Sequence, residues 1–392
     1  MVIRLFSITP LIYYSFAFDS LLKVDLGFQI HLGILCILAL NLYFALRKPN
    51  KFRGGLNNDK LFIAFIFFAM VSGAALSTPG YKQISIYLFI AFNVALFCHY
   101  SWPSIGQKQL LTFQWIMITT GLIQFAAFKL FDYQIAFIDA AHYEKGYSVT
   151  QRLRGFFVEP NWYAIAITFN TLLLYGRHVW QRVKEYKWTT LITITVMLLN
   201  GTLTTLAVLA FVYFATAFRR NPIRGMMIGI VLTALVWAFL SYRASLLGNT
   251  DSNRVLNHSS RVMPVLRVAM YQSNQEWPKV FFGHGLGSWG TKAIENRLSV
   301  LVYEVNATTR DGSELPVFLF EFGLLGTLLF LLYLLNKYIR FHRDDFHLKG
   351  AVLLFFCCFA LYPTLKFWMY MPYFFYAVSF LNEQKYSDLT QS

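Results

Sequence analysis

Charge is what this sequence has least of. Only 14% of its 392 residues are Asp, Glu, Lys or Arg, against about 25% in a soluble domain. A chain so poor in charge cannot coat a water-facing surface, but lipid as solvent asks for no polar coat. Cysteine is scarce as well. Cys36, Cys98, Cys357 and Cys358 all lie in apolar runs. None has the spacing of metal ligands or of a redox pair, so they read as small buried hydrophobes. Acids number 19 against 34 Lys and Arg, a formal charge of +15. In a soluble protein that excess points to nucleic acid. Here no compact basic domain carries it, and in membrane proteins Lys and Arg gather in cytoplasmic loops, so no nucleic-acid partner is expected. A cleavable signal is not expected either: no small-residue cleavage site follows Arg4 and the apolar run broken by Pro10, and this segment reads as a first span. What fills the chain is apolar side chains, 57% of the total, with 40 Phe.

A helix needs about 20 apolar residues to cross a bilayer core. Spans are expected near 4–18, 26–46, 61–77, 84–101, 110–128, 161–176, 188–201, 203–218, 225–242, 314–335, 350–364 and 368–382. The expectation is an all-α polytopic protein, a single integral membrane domain over residues 1–392. Trp188 to Phe218 runs 31 residues without a charge, too long for one upright helix. Its middle, Asn200-Gly201-Thr202, favours a turn, which predicts two short helices; one long tilted helix would invert everything downstream. Charge separates the two. Basic residues cluster in Arg47–Lys60, Arg177–Lys187, Arg219–Arg224 and Lys337–Lys349. Two helices put all four clusters on one side, which the positive-inside rule makes cytoplasmic, along with both termini; one helix splits them two against two.

That topology leaves two long loops outside, 129–160 and 243–313. Loops of this length are uncommon unless functional or disordered, and neither is low-complexity. The second carries eight cations (Arg243, Arg254, Arg261, Arg267, Lys279, Lys292, Arg297, Arg310) against five acids (Asp251, Glu276, Glu295, Glu304, Asp311), a net of +3. Most of the cations are Arg, whose planar fork matches phosphate oxygens in pairs. The reading is an anion site at the membrane surface; a solvated, inert loop competes with it. The first loop ends Arg152-Leu153-Arg154-Gly155-Phe156-Phe157-Val158-Glu159-Pro160-Asn161. Gly155 permits close backbone approach, Pro160 suits the first turn of a helix, and Glu159 then sits near the positive helix end. An ordinary interfacial anchor and helix start would look the same. Gly283-His284-Gly285-Leu286-Gly287 looks like a phosphate loop but lacks the Lys-Ser/Thr ending, so a tight turn approaching the membrane is expected instead of a nucleotide site. The Asn-x-Ser/Thr triplets at Asn200, Asn257 and Asn306 carry little weight.

Taken in order, these motifs resemble a family. Arg-x-x-Gly-Phe-x-x-x-Pro-Asn-x-x-Ala, here Arg152 to Ala164, is similar to the signature of the superfamily of O-antigen ligases and Wzy-type O-antigen polymerases. So are Ser259-Ser260-Arg261, the Pro278 and Gly283–Gly287 turn that follows, and Glu321-Phe322-Gly323, placed like the Glu-x-Gly that opens the family's helix after its large loop. The resemblance covers roughly residues 150–335. Ligases share a His-Asn pair shortly before the Glu-x-Gly. Here that place reads Asp311-Gly312-Ser313-Glu314, which favours a polymerase over a ligase and leaves no ligase-type catalytic histidine to carry over.

The resemblance implies an inner-membrane glycosyltransferase of GT-C-like architecture. Such an enzyme moves an oligosaccharide from an undecaprenyl-pyrophosphate donor to a lipid-linked acceptor at the periplasmic face, making O-antigen or a similar surface polysaccharide. It implies no cofactor and no metal, provided arginines neutralise the phosphates. It leaves room for a chain-length-regulating partner protein. Arg152 and Arg261 are then the expected catalytic cations, assisted by Arg154 and Arg267. Gly155 and Asn161 shape the substrate site. Glu159, His284 and Glu314 are the candidates for a base. Glu321 is either a substrate contact or a structural partner in the bundle, although an acid at membrane depth is usually functional. A lipid-linked oligosaccharide flippase is the non-enzyme alternative; it would set its cations along mid-helix cavities and show internal repeats, neither of which is seen.

Overall fold

The computed structural model describes residues 2–25, 29–47, 59–101, 105–131, 152–157, 159–223, 225–227, 229–230, 234, 263–298, 313–362 and 371–379. The chain is an all-α, membrane-embedded protein with one small exception. Helix α1 (Val2–Ser15) leads through a 3-10 turn (Phe16–Phe18) into an antiparallel hairpin of β1 (Lys23–Asp25) and β2 (Gln29–His31), in which Val24 faces Ile30. Helix α2 (Leu32–Arg47) begins only after it. This corrects the span expected at 26–46: β-branched Val24 and Ile30 pair across strands, and polar Asp25, Gln29 and His31 delay the apolar helix to Leu32.

The remaining helices follow the apolar runs. They are α3 (Lys60–Ala75), α4 (Tyr81–Ser101), α5 (Gln107–Phe131), α6 (Pro160–Tyr175), the short α7 (Val179–Glu185), α8 (Lys187–Asn200) and α9 (Leu203–Arg220). After these come α10 (Met263–Ser273), α11 (Trp277–Phe282), α12 (Trp289–Glu295), α13 (Glu314–Arg340), α14 (Phe346–Leu361) and a helical stretch at 371–379. Four of these, within α4, α5, α9 and α13, are long and apolar enough to cross a membrane. Much of the span expected at 225–242 lies outside the described residues. Trp188–Phe218 is indeed two helices: Gly201, in the left-handed region at φ 70, ends α8, and α9 starts two residues later. Within the second long loop, the described part folds into α10, α11 and α12.

Polarity runs inside out. On α8, Thr189, Thr193 and Asn200 are buried while Leu191, Ile194 and Leu198 are exposed. Phe67, Leu130, Phe131 and Leu328 also face outward, and Gln114, Asn170 and Glu321 are fully enclosed. Water would reverse this pattern; lipid permits it. Helix α6 is apolar and buried almost end to end, as a central helix is. Its Asn170 links three neighbours. The Asn170 amide donates to Leu110 O (3.0 Å) and Gln114 Oε1 (2.7 Å), and its oxygen accepts from Tyr13 Oη (3.1 Å). Gln114 in turn donates to Thr171 Oγ1 and to Thr193 Oγ1 on α8.

The two ends of the bundle differ. At one end, Arg177 binds Asp345 (2.8 Å), Arg219 binds Asp344 (2.5 Å), and Lys337 pairs with Asp59. These three ion pairs join the four connections whose basic clusters were expected to share a side. At the other end, hydrogen bonds run between turns: Ser20 N to Phe156 O, Gly80 N to Gly287 O, and Glu314 N to Tyr362 O.

Removing one partner from a buried hydrogen-bonded set costs about 1–3 kcal/mol for each polar group stranded. Asn170→Ala strands Tyr13 and Gln114. It is expected to lower stability by roughly 3 kcal/mol, seen as a clear drop in melting temperature of the detergent-purified protein, whereas Leu198→Ala on the outer face of α8 leaves it nearly unchanged.

Candidate functional site

Two structures built from loops occupy the end of the bundle away from the ion pairs. The first is the Arg152–Asn161 segment. Before α6 its described backbone makes one turn bond of its own, Phe157 N to Arg154 O, and side chains supply much of the rest. Asn200, fully buried at the end of α8, donates both amide hydrogens, to Leu153 O and to Pro160 O, each at 2.7 Å. Its Oδ1 accepts from Thr202 N (3.2 Å) and lies 2.5 Å from the Thr202 hydroxyl. Arg152 closes the ring: Nε donates to Asn200 O (2.7 Å), and Nη2 to Thr202 Oγ1 (2.7 Å) and Asn161 Oδ1 (3.2 Å). The turn that splits 188–218 is therefore the dock for the motif beginning at Arg152.

The rest of the segment packs on α5 and α6. Arg154 is buried, and its backbone N–H donates to Gln124 Oε1 at 3.0 Å. Gly155, at φ +55, lies against the Tyr163 ring, where a Cβ would stand 3.1 Å from it. Tyr163 donates from its hydroxyl to Met117 O at 2.8 Å, and its ring meets Phe157 edge-on. Phe156 stacks on Phe18. Glu159 has the extended backbone of an N-cap, and Pro160 begins α6, as the sequence suggested.

The second structure is the glycine turn. Gly283, Gly285 and Gly287 all have φ between +74 and +88, a region that L side chains rarely enter. The turn fits a break in α13. Gly323 leaves helical geometry (φ 60, ψ −161), so the carbonyls of Leu319, Phe320 and Glu321 lose their usual helical donors. Each finds another: Gln272 Nε2 donates to Leu319 O (2.7 Å), His284 N to Phe320 O (2.9 Å), and Gly285 N to Glu321 O (2.8 Å). The Glu321 carboxylate, fully buried, accepts from Gly287 N (2.9 Å) and Trp289 N (3.2 Å) through one oxygen. A Cβ on Gly323 would stand 2.5 Å from Phe281 O. Glu321 therefore serves the turn, through backbone N–H groups.

His284 lies flat on Phe320, ring centroids 4.3 Å apart, with Nδ1 3.2 Å from Phe320 O. Burial pushes its pKa below the usual histidine value, and Lys292 and Lys279 act in the same direction. Glu314 is buried at the first turn of α13. Arg267, on α10, donates from Nη1 to Arg297 O at 3.3 Å. Arg261 lies outside the described residues. The structure thus joins Arg152 to Asn161, and His284 to the Glu321 segment. The bonds of the first loop run to Ser20, α5, α6 and the 200–202 turn; those of the glycine turn run to α11, α13 and the 78–80 turn. Among the described residues no group of three His, Cys, Asp or Glu side chains is placed to hold a metal ion. Asn200, Thr202, Gln124 and Gln272 are the partners that the sequence did not single out as site residues. Gln124 showed only as a polar residue inside an apolar run, Asn200 and Thr202 showed as a turn, and Gln272 was one of several polar residues in its stretch.

Comparison with known proteins finds no matching family model and no significantly similar curated protein.

Two outcomes follow from these bonds. Asn200→Ala strands Leu153 O and removes a second bond to Pro160 O, costing roughly 1–3 kcal/mol; hydrogen exchange of the backbone amides at 152–157 is expected to accelerate about tenfold, while that of α4 is unchanged. For His284, the folded protein holds the neutral ring to a lower pH than the unfolded chain, whose histidine titrates near 6.5. Stability from this group is therefore complete above that value and declines as pH falls below it. His284→Phe keeps the stack on Phe320 and is expected to reduce the drop in melting temperature between pH 7 and pH 5.

Proposed function

We propose that this chain is a membrane glycosyltransferase that polymerises undecaprenyl-pyrophosphate-linked oligosaccharide repeat units into O-antigen or a similar surface polysaccharide. In this reading it has about a dozen spans, both termini in the cytoplasm and its long loops outside. The observation that supports it best is positional. The Arg152–Ala164 motif and the Gly283–Gly287 turn, which carry the family resemblance, lie at the bundle end opposite the four basic connections. That end is the non-cytoplasmic one if the positive-inside rule holds. An extracytoplasmic site without nucleotides suits a donor that arrives already activated on a lipid carrier.

The reaction breaks the bond between the anomeric carbon of the donor glycan and its pyrophosphate oxygen, and forms a bond from that carbon to an acceptor hydroxyl oxygen. The hydroxyl proton passes to a base, and lipid pyrophosphate leaves. The leaving group needs its growing negative charge stabilised more than it needs a proton, and the sugar passes through an oxocarbenium-like state. In this proposal Arg152 is held by Asn161, Asn200 and Thr202 so that its guanidinium is fixed before substrate arrives. Arg154, Arg261 and Arg267 supply further positive charge. Neutral His284 is the base candidate whose protonation state suits accepting a proton at neutral pH, with Glu159 and Glu314 as the others.

In cells lacking the native gene, Arg152→Lys is expected to cut long-chain polysaccharide about 10- to 100-fold, matching the loss of about 1.5–3 kcal/mol of charged hydrogen bonding. Surface glycan of one repeat unit should persist. The check is a polysaccharide ladder on a gel, with membrane levels of the protein measured alongside. Unchanged long chains at normal protein level would sink the proposal.

A further inference from the structure

Helices α10 and α11 form an amphipathic pair. On α10, Pro264, Val268 and Gln272 recur at helical spacing and are buried, while Leu266 and Met270 point away, Met270 at 71% exposure. On α11, Trp277 is 74% exposed, with Phe281 and Phe282 also open and Trp277 stacked on Phe281. An apolar patch of this kind on a folded protein marks a contact surface. An open cleft of about 570 Å³ lies where the two helices pack against α13, lined by Val268, Gln272, Trp277, Val280, Leu319 and Leu324.

What covers the patch is indicated by what it continues into. Leu324 lines the cleft and is itself exposed, and below it Leu325, Leu328, Leu332 and Leu335 stay exposed along α13. The Phe282 ring lies 6.5 Å from that of Phe68 on α3, beside exposed Phe67 and Val71. The patch is thus one end of the apolar outer faces of α3 and α13, and α13 is long and apolar enough to span. Whatever solvates those faces reaches α10 and α11. Trp and Phe with basic neighbours suit the headgroup boundary, and Lys279 on α11 and Arg267 on α10 supply them.

From this continuity we infer that α10 and α11 are an in-plane membrane anchor, with Leu266, Met270, Trp277, Phe281 and Phe282 inserted at the acyl–headgroup boundary of the non-cytoplasmic leaflet. The partner is bilayer phospholipid. The anchor leads directly into Gly283, so it fixes the glycine turn at the membrane surface. This placement of the two helices holds whatever reaction the protein performs.

The test is site-directed spin labelling of the full chain in phosphatidylethanolamine–phosphatidylglycerol vesicles. Met270→Cys and Trp277→Cys are labelled in a background with Cys36, Cys98, Cys357 and Cys358 changed to Ala. Leu328→Cys serves as the lipid reference and Glu295→Cys as the water reference. At 270 and 277, oxygen collisions are expected to exceed those of a water-soluble nickel complex several-fold, as at 328 but at shallower depth. Nickel in excess, as at 295, overturns the inference. So does exclusion of both reagents, the signature of a protein partner. A second measurement keeps the native cysteines: brominated lipid should quench the fluorescence of the unmodified protein more than that of Trp277→Phe. Equal quenching of the two overturns the inference as well.

Discussion

A backbone carbonyl buried inside a membrane protein has no water to turn to, and this chain answers that need at two breaks in regular helix among the described residues. At the 200–202 turn, one asparagine amide holds two carbonyls of the incoming loop. At Gly323, three carbonyls released from α13 are taken up by Gln272, His284 N and Gly285 N. Buried irregular backbone needs its polar groups paired within the protein, so the residues around each break are constrained by those pairings. Of the three left-handed glycines of 283–287, Gly285 and Gly287 aim their N–H groups at Glu321 O and the Glu321 carboxylate, Gly283 N–H closes α11 on Lys279 O, and the turn they make lets His284 N reach Phe320 O. Side chains there would fill the space the backbone needs.

The same constraint separates the two ends of the bundle. The end with the ion pairs uses long charged side chains that reach between connections, such as Arg177 to Asp345. Such contacts tie connections together through side chains that are partly or wholly buried. The opposite end relies on short, buried, direct contacts between backbone and side chain. That gives rigidity, and rigid placement is what a site needs to orient charge before a substrate binds. Arg152 shows the difference: its guanidinium is oriented by three protein oxygens.

Much of the fold was legible in the sequence, for a physical reason. Long apolar runs admit few alternatives, so α3 to α6, α8, α9, α13 and α14 fall within a few residues of their expected places. The Asn-Gly turn was legible because glycine takes positive φ at low cost. The hairpin before α2 was not, since Val24-Asp25 and Gln29-Ile30 are too short to stand out against the apolar run that follows. The glycine turn was legible as a turn, but its partner was not. Glu321 sits 34 residues beyond Gly287, and no local pattern signals that a carboxylate in a helix will bind amides that far upstream. Asn200 was hidden in the same way. It was read as a turn residue, which it is, and its grip on Leu153 and Pro160 depends on α5, α6 and α8 packing together first.

That dependence has a consequence for how the site forms. Neither loop can acquire its shape alone, because each borrows its hydrogen-bond partners from helices distant in the chain: Arg152 from the 200–202 turn, Gly287 from Glu321, Gly80 from Gly287. The loops in turn tie neighbouring helix ends together. A substitution at Asn200 or Glu321 acts on both levels at once. It loosens a loop and releases the helix ends joined there, whereas a change at an outward Leu of α8 touches only lipid. The residues that most control the geometry of this end are thus the buried polar ones within the helices, and the charged loop residues depend on them for their orientation.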